Sequence, residues 1–158
     1  VDHAYPGTYA FVADRFRAVV QDLVVQDIND ARAAWIYERI VRFHSLSAVR
    51  HSVAGGTEAS GFSAYHNHEL MSKALVSLAH IYSKSNGDDG VRSDYHACYL
   101  LMHASDSLIA ASHVRTLTRG VQRSGPVTHA LAVLRAASSG DGLALLRLVQ
   151  GLPLEALG

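Results

Sequence analysis

Apolar residues recur at three- and four-residue steps through most of the chain, the period of helices that pack by one face. Val12, Phe16, Val19, Val20 and Leu23 form such a stripe. It predicts a first helix over 9–27, with Thr8 as N-cap after the stop-and-start signal Pro6-Gly7. Asp14, Arg17 and Gln21 fall at i, i+3 and i+7 beside the stripe, so a charged strip borders the buried face. Asn29-Asp30 interrupts the pattern and caps a second helix over 31–52. Its main stripe is Ala33, Ile36, Ile40 and Phe43, flanked by Trp35 and Tyr37. Ser63 starts a third helix over 63–84, where Leu70, Met71, Ala74, Leu75, Leu78, Ile81 and Tyr82 keep the cleanest helical period.

The second half continues in shorter pieces. A fourth helix over 92–104 turns Tyr95, Cys98, Tyr99, Leu101 and Met102 inward. Ser105 and Asp106 either cap a fifth helix over 106–119, ending at Arg119-Gly120, or lie inside one continuous helix. Pro126, after the break at Ser124-Gly125, suits the first turn of a helix over 126–138 built on Val127, Leu131, Val133 and Leu134. Gly140-Asp141-Gly142 sets off a short helix over 143–150, and Pro153 opens a last fragment, Leu154 to Leu157. Residues 54–61 and 85–90 are small or polar and read as loops. No alternating run of strand length stands out. The expected class is all-α: about seven helices in antiparallel pairs, stacked as a TPR/PCI-like α-solenoid without a fixed sequence repeat.

Composition narrows the function classes. A length of 158 residues with 49% apolar content fits one globular domain over 1–158 with a sizeable core. Fourteen basic residues balance fourteen acidic ones, so total charge gives no long-range pull toward nucleic acid or membrane. No apolar run is long enough to span a membrane, and no signal-like segment is present at Val1. The one cysteine, Cys98, rules out an internal disulfide.

Ten histidines raise the question of a metal, yet no His-Glu-x-x-His occurs. His66 and His68 fall on different helix faces, while His44/His51 and His96/His103 are each two turns apart. There is no Gly-x-Ser-x-Gly elbow and no phosphate loop ending in Gly-Lys-Ser/Thr. Cys98 lies mid-helix on an apolar face, the setting of an inert packing residue. The pattern therefore points to no catalytic group, no metal, no cofactor and no small-molecule substrate. Arginines are the concentrated feature: Arg15, Arg17, Arg39, Arg42 and Arg50 lie in the first two helices, with His44 among them. They serve either as ion pairs between helices (Arg17, Glu38 and Arg42, with Glu38–Arg42 an i,i+4 pair) or as a phosphate- or partner-facing patch. The apolar C-terminal stretch from Leu143 to Leu157 is either a capping helix or an interface.

These residues resemble the Sac-three/GANP domain family. The resemblance rests on Tyr9-Ala10-Phe11-Val12, then Asp14-Arg15-Phe16-Arg17-Ala18-Val19-Val20-Gln21-Asp22-Leu23, then Glu38-Arg39-Ile40 and Val41-Arg42-Phe43-His44. Asn67-His68-Glu69-Leu70, Tyr95 to His103 and Val127 to Ala137 resemble later blocks, so nearly the whole chain is covered in order. Val20 stands where the family usually has a second basic residue, and the family's winged-helix portion lies outside the chain. The resemblance implies a non-enzymatic helical scaffold of nuclear mRNA-export or RNA-processing factors, of the TREX-two type at the nuclear pore. It implies a PCI-domain partner and a small acidic Sem/DSS-type protein, RNA contact through a larger assembly, and no membrane. Its motif residues, expected as structural or partner-contact positions, are Asp14, Arg15, Arg17, Gln21, Asp22, Glu38, Arg39, Arg42, Phe43 and His44. The rival reading is direct RNA or DNA binding by the Arg-rich first two helices.

Overall fold

The computed structural model describes residues 5–53, 62–84 and 89–150. Within them there are eight helices and no strands: α1 (Tyr5–Val25), α2 (Ala31–Val53), α3 (Ala64–Lys84), α4 (Asp89–Met102), α5 (Ser107–Thr116), α6 (Arg119–Gln122), α7 (Gly125–Ser139) and α8 (Gly142–Gln150). The chain is all-α, with helices packed in pairs: α1 on α2, α4 on α7, and α7 on α8. It divides into two compact units between Ile81 and Tyr82. None of the described helices is long and apolar enough to cross a membrane.

The helix boundaries follow local chemistry. α1 starts at Tyr5 rather than after Thr8, which places Pro6 in the first turn, where its missing N–H breaks no helical bond. It ends with Ile28 N–H bonded to Leu23 C=O and Asp27 N–H to Val24 C=O, while Asp27 takes φ 50°. This is a left-handed stop made with an aspartate, whose short polar side chain tolerates that backbone; Asn29 Nδ2 donates to Asp27 Oδ1 at 2.7 Å. α7 ends in the same way on Gly140, φ 70°. As expected, Asp30 caps α2, its Oδ1 accepting from the N–H groups of Arg32 and Ala33, and Ser63 Oγ caps α3 through His66 N–H. Asp106 caps a separate α5, accepting from Leu108 and Ile109, so α4 and α5 do not run on as one helix. α5 stops at Thr116, and Thr118 caps the extra four-residue α6, which contains Gly120 instead of ending at it. Helix α4 begins at Asp89, three residues before the sequence expectation, taking in part of the 85–90 loop. The 54–61 loop and the Leu154–Leu157 fragment lie outside the described residues.

In the first unit, α1 buries Tyr9, Ala13 and Leu23, with Val12, Phe16 and Val20 half-buried and Val19 exposed. Phe16 meets Phe43 edge-on at 5.4 Å between ring centroids. Phe16→Ala should therefore cost about 2 kcal/mol in urea unfolding, below the 3–5 kcal/mol of a fully buried phenylalanine. α2 buries Ala33, Ala34, Tyr37, Ile40, Val41, His44 and Ser47. The expected stripe was thus shifted: Tyr37 is inside, Ile36 and Phe43 sit at the edge, and Trp35 faces outward. α3 places Ala74, Leu75, Leu78 and Ile81 in the core as its period requires. The second unit closes around Ala97, Leu100, Ala110, Leu117, Val121, Val127 and Ala130, with Val114, Leu131 and Leu134 packed against them.

Candidate functional site

Three of the sequence blocks meet in one buried polar knot. Tyr9 of α1, His44 of α2 and Asn67 of α3 are each almost fully buried. Asn67 Oδ1 accepts the Tyr9 hydroxyl at 3.1 Å and faces His44 Nδ1 at 2.7 Å. Its Nδ2 donates to the His44 carbonyl at 3.0 Å. Since Nδ2 is committed as donor, Oδ1 can only accept, so His44 Nδ1 carries the hydrogen. Burial favours the neutral ring by pushing the His44 pKa down, against the smaller opposing effect of its hydrogen bond to Asn67. Aromatic rings wrap the knot: Tyr9 stacks on Phe43 at 5.6 Å and meets Phe62 edge-on at 4.8 Å. An amide, a phenol and an imidazole that satisfy one another inside an apolar shell lock three helices in one register. The periodicity reading missed this knot because His44 and Asn67 are polar. Their phase was the available signal: His44 follows Ile40 by four residues and Asn67 precedes Ala74 by seven.

The remaining motif residues are brought to the surface instead. Asp14 bonds Arg15 at 2.6 Å and Arg17 at 3.4 Å, all three exposed. The Arg15 guanidinium holds the Asp14 carboxyl below the usual carboxylate range. Arg17 also reaches His66 Nε2 at 3.5 Å, a link from α1 to α3. Gln21 and Asp22 are exposed, Glu38 is half-buried, and Arg42 is exposed. Arg39 lies over the Trp35 ring at 3.9 Å from its centroid, a cation–π pair on the outside of α2. Of the ten motif residues, only Phe43 and His44 belong to the knot and its aromatic shell; the other eight lie outside it as a mainly charged rim, all exposed except the half-buried Glu38.

The second unit holds a cluster of imidazoles. His96 Nδ1 lies 3.1 Å from His113 Nε2, and Tyr99 stacks on His113 at 4.1 Å and meets the tilted ring of His103 at 4.6 Å. Burial first, then the neighbouring His96 and His103, push the His113 pKa down to about 4. Among the described residues, no group of three or more His, Cys, Asp or Glu side chains is disposed to hold a metal ion. Cys98 is half-buried, and burial, followed by the charge of Asp94, raises its thiol pKa; a thiol held in that form is a poor nucleophile.

Acid should loosen both units. His44 and His113 bind a proton more weakly when folded than when unfolded, so stability falls as pH drops below the ordinary histidine value. For His113 the window runs from about 6.5 down to about 4. Its side chain is partly screened by solvent, so the expected loss is on the order of 1–2 kcal/mol between pH 7 and pH 4.5. Urea unfolding at the two pH values checks this, and His113→Gln should reduce the difference.

The SAC3/GANP family model matches residues 1–156. SAC3 family protein B of Arabidopsis thaliana is 26% identical, with 91% of this chain and 9% of the relative covered. The chain thus spans about a tenth of that relative's length. No solved structure matches.

Proposed function

Because the chain belongs to the SAC3/GANP family, we propose that it is the helical scaffold portion of a nuclear mRNA-export or RNA-processing factor, and that it holds protein partners and turns over no substrate. The observation that carries this reading is the Tyr9–His44–Asn67 knot. The polar groups best placed for chemistry in the first unit are consumed in bracing helices, which leaves the rim for recognition. Arg15, Arg17, Arg39 and Arg42 stand on that rim and are the contact residues of the proposal. The expected partners are a PCI-domain protein and a small acidic protein of the Sem/DSS type, with RNA engaged by the larger assembly.

Native affinity purification of the full-length protein tests the proposal. A PCI-domain protein and a small acidic protein should co-purify in stoichiometric amounts, and a protein recovered without either contradicts the reading. Titration of the 158-residue chain with single-stranded RNA separates the rival. Direct nucleic-acid binding predicts an affinity that falls steeply with salt, whereas the scaffold reading predicts weak binding at physiological salt.

A further inference from the structure

The outer face of α2 carries one continuous stripe. Arg32, Trp35, Arg39, Arg42, Leu46, Val49 and Val53 follow one another at alternating steps of three and four, the spacing of a helix seam made to meet another helix. Every one of these side chains is exposed; Trp35 retains 55% of its surface and Val53 84%. The stripe is divided in charge. Its first half is basic, with Arg32 paired to Asp30 at 2.8 Å, Arg39 laid over Trp35 and Arg42 facing solvent. Its second half, Leu46, Val49 and Val53, is wholly apolar, and no position along it is acidic. Half-buried Glu38 is a flanking residue.

This charge order selects the occupant. A second copy laid antiparallel would set Arg39 and Arg42 against Leu46 and Val49, and a parallel copy would set arginine against arginine; neither supplies a carboxylate. A nucleic acid could use Trp35 and the arginines, but it would leave the apolar half in water. A helix with an apolar seam and carboxylates toward one end satisfies both halves at once. We propose that the outer stripe of α2 docks an acidic amphipathic helix of another protein, its carboxylates over Arg39 and Arg42 and its apolar seam along Leu46, Val49 and Val53. The proposal rests on the scaffold reading above and adds the face, the polarity and the chemistry of the partner segment.

Trp35 is the chain's one tryptophan, so its fluorescence reports on this face alone. The probe is a three-heptad helical peptide with a leucine–isoleucine seam and glutamates clustered at one end, titrated into the 158-residue chain. A saturable blue shift of Trp35 emission is expected. The same peptide with lysines in place of the glutamates should bind about tenfold more weakly or worse, as should the Arg39→Glu/Arg42→Glu variant with the original peptide. Leu46→Asp should also weaken binding, and all three substituted positions are exposed, so circular dichroism should match that of the unsubstituted chain. Absence of a saturable shift, equal binding of the lysine peptide, or unchanged affinity in the arginine variant overturns the proposal. So does tighter binding of single-stranded oligouridylate than of the peptide, or a dimer in sedimentation that Leu46→Asp disperses. Failure here leaves the co-purification experiment untouched, and failure there leaves the peptide result standing, so the two readings fall separately.

Discussion

Asn67→Ala should destabilise the first unit by about 3–5 kcal/mol, a large share of the stability of a small helical domain. Asn67 is 2% exposed and serves three partners at once. Its removal strands the His44 Nδ1–H in an apolar shell and takes the Asn67 acceptor from the Tyr9 hydroxyl, while the His44 carbonyl, inside α2, keeps its helical bond. Each loss costs about 1–3 kcal/mol, and the shared site keeps the sum below full additivity. Tyr9→Phe is the graded control. It deletes one donor and leaves Asn67 Oδ1 paired with His44, so about 1 kcal/mol is expected. Arg17→Ala, in the same motif but on the exposed rim, should stay within about 0.5 kcal/mol. Urea unfolding with an unchanged denaturant slope measures all three. Near-equal effects of Asn67→Ala and Arg17→Ala would mean that the knot does not brace the helices.

Leu100→Ala should cost about 3–5 kcal/mol in the second unit, while Leu101→Ala, one residue on, should cost well under 1 kcal/mol. Leu100 is fully enclosed in the cluster of Ala97, Ala110, Leu117, Val121, Val127 and Ala130, where its removal leaves a cavity among small side chains with little freedom to collapse. Leu101 lies on the other side of α4 and already keeps 36% of its surface in water. The pair is informative because the sequence pattern places Leu101 inward and leaves Leu100 unassigned. Cys98 to Met102 is a run of five apolar residues, and such a run carries no phase. The phase is set by Ser93 and His96, both buried on the inner face of α4, and a hydrophobic pattern passes over both.

That case shows where the sequence is legible and where it is not. The starts of α2, α3, α5 and α7 are legible because caps are local chemistry: Asp30, Ser63, Asp106 and Pro126 act where their side chains or ring dictate, whereas α1 and α4 begin before their expected positions. α3 is legible because Leu75, Leu78 and Ile81 repeat without interruption. α2 is half legible. Its buried face includes Tyr37, His44 and Ser47, and its exposed face includes Trp35, so a count of apolar positions settles on a stripe rotated toward Ile36 and Phe43. α6 is too short for any period to register, and Thr118 is its only local mark. For the site, the motif blocks are visible as blocks. Their meeting at Asn67 depends on a contact 58 residues away in sequence, which no local rule encodes. The division of motif residues into a buried brace and an exposed rim is likewise a tertiary fact.

The most direct test of the brace is the ¹⁵N spectrum of the His44 imidazole at neutral pH. The account predicts a neutral ring with the hydrogen on Nδ1, held there by Asn67 Oδ1 at 2.7 Å, and a titration midpoint below that of an exposed histidine. A ring protonated on Nε2 alone would leave His44 without its bond to Asn67, and an imidazolium at pH 7 would deny the burial of the ring; either result contradicts the account.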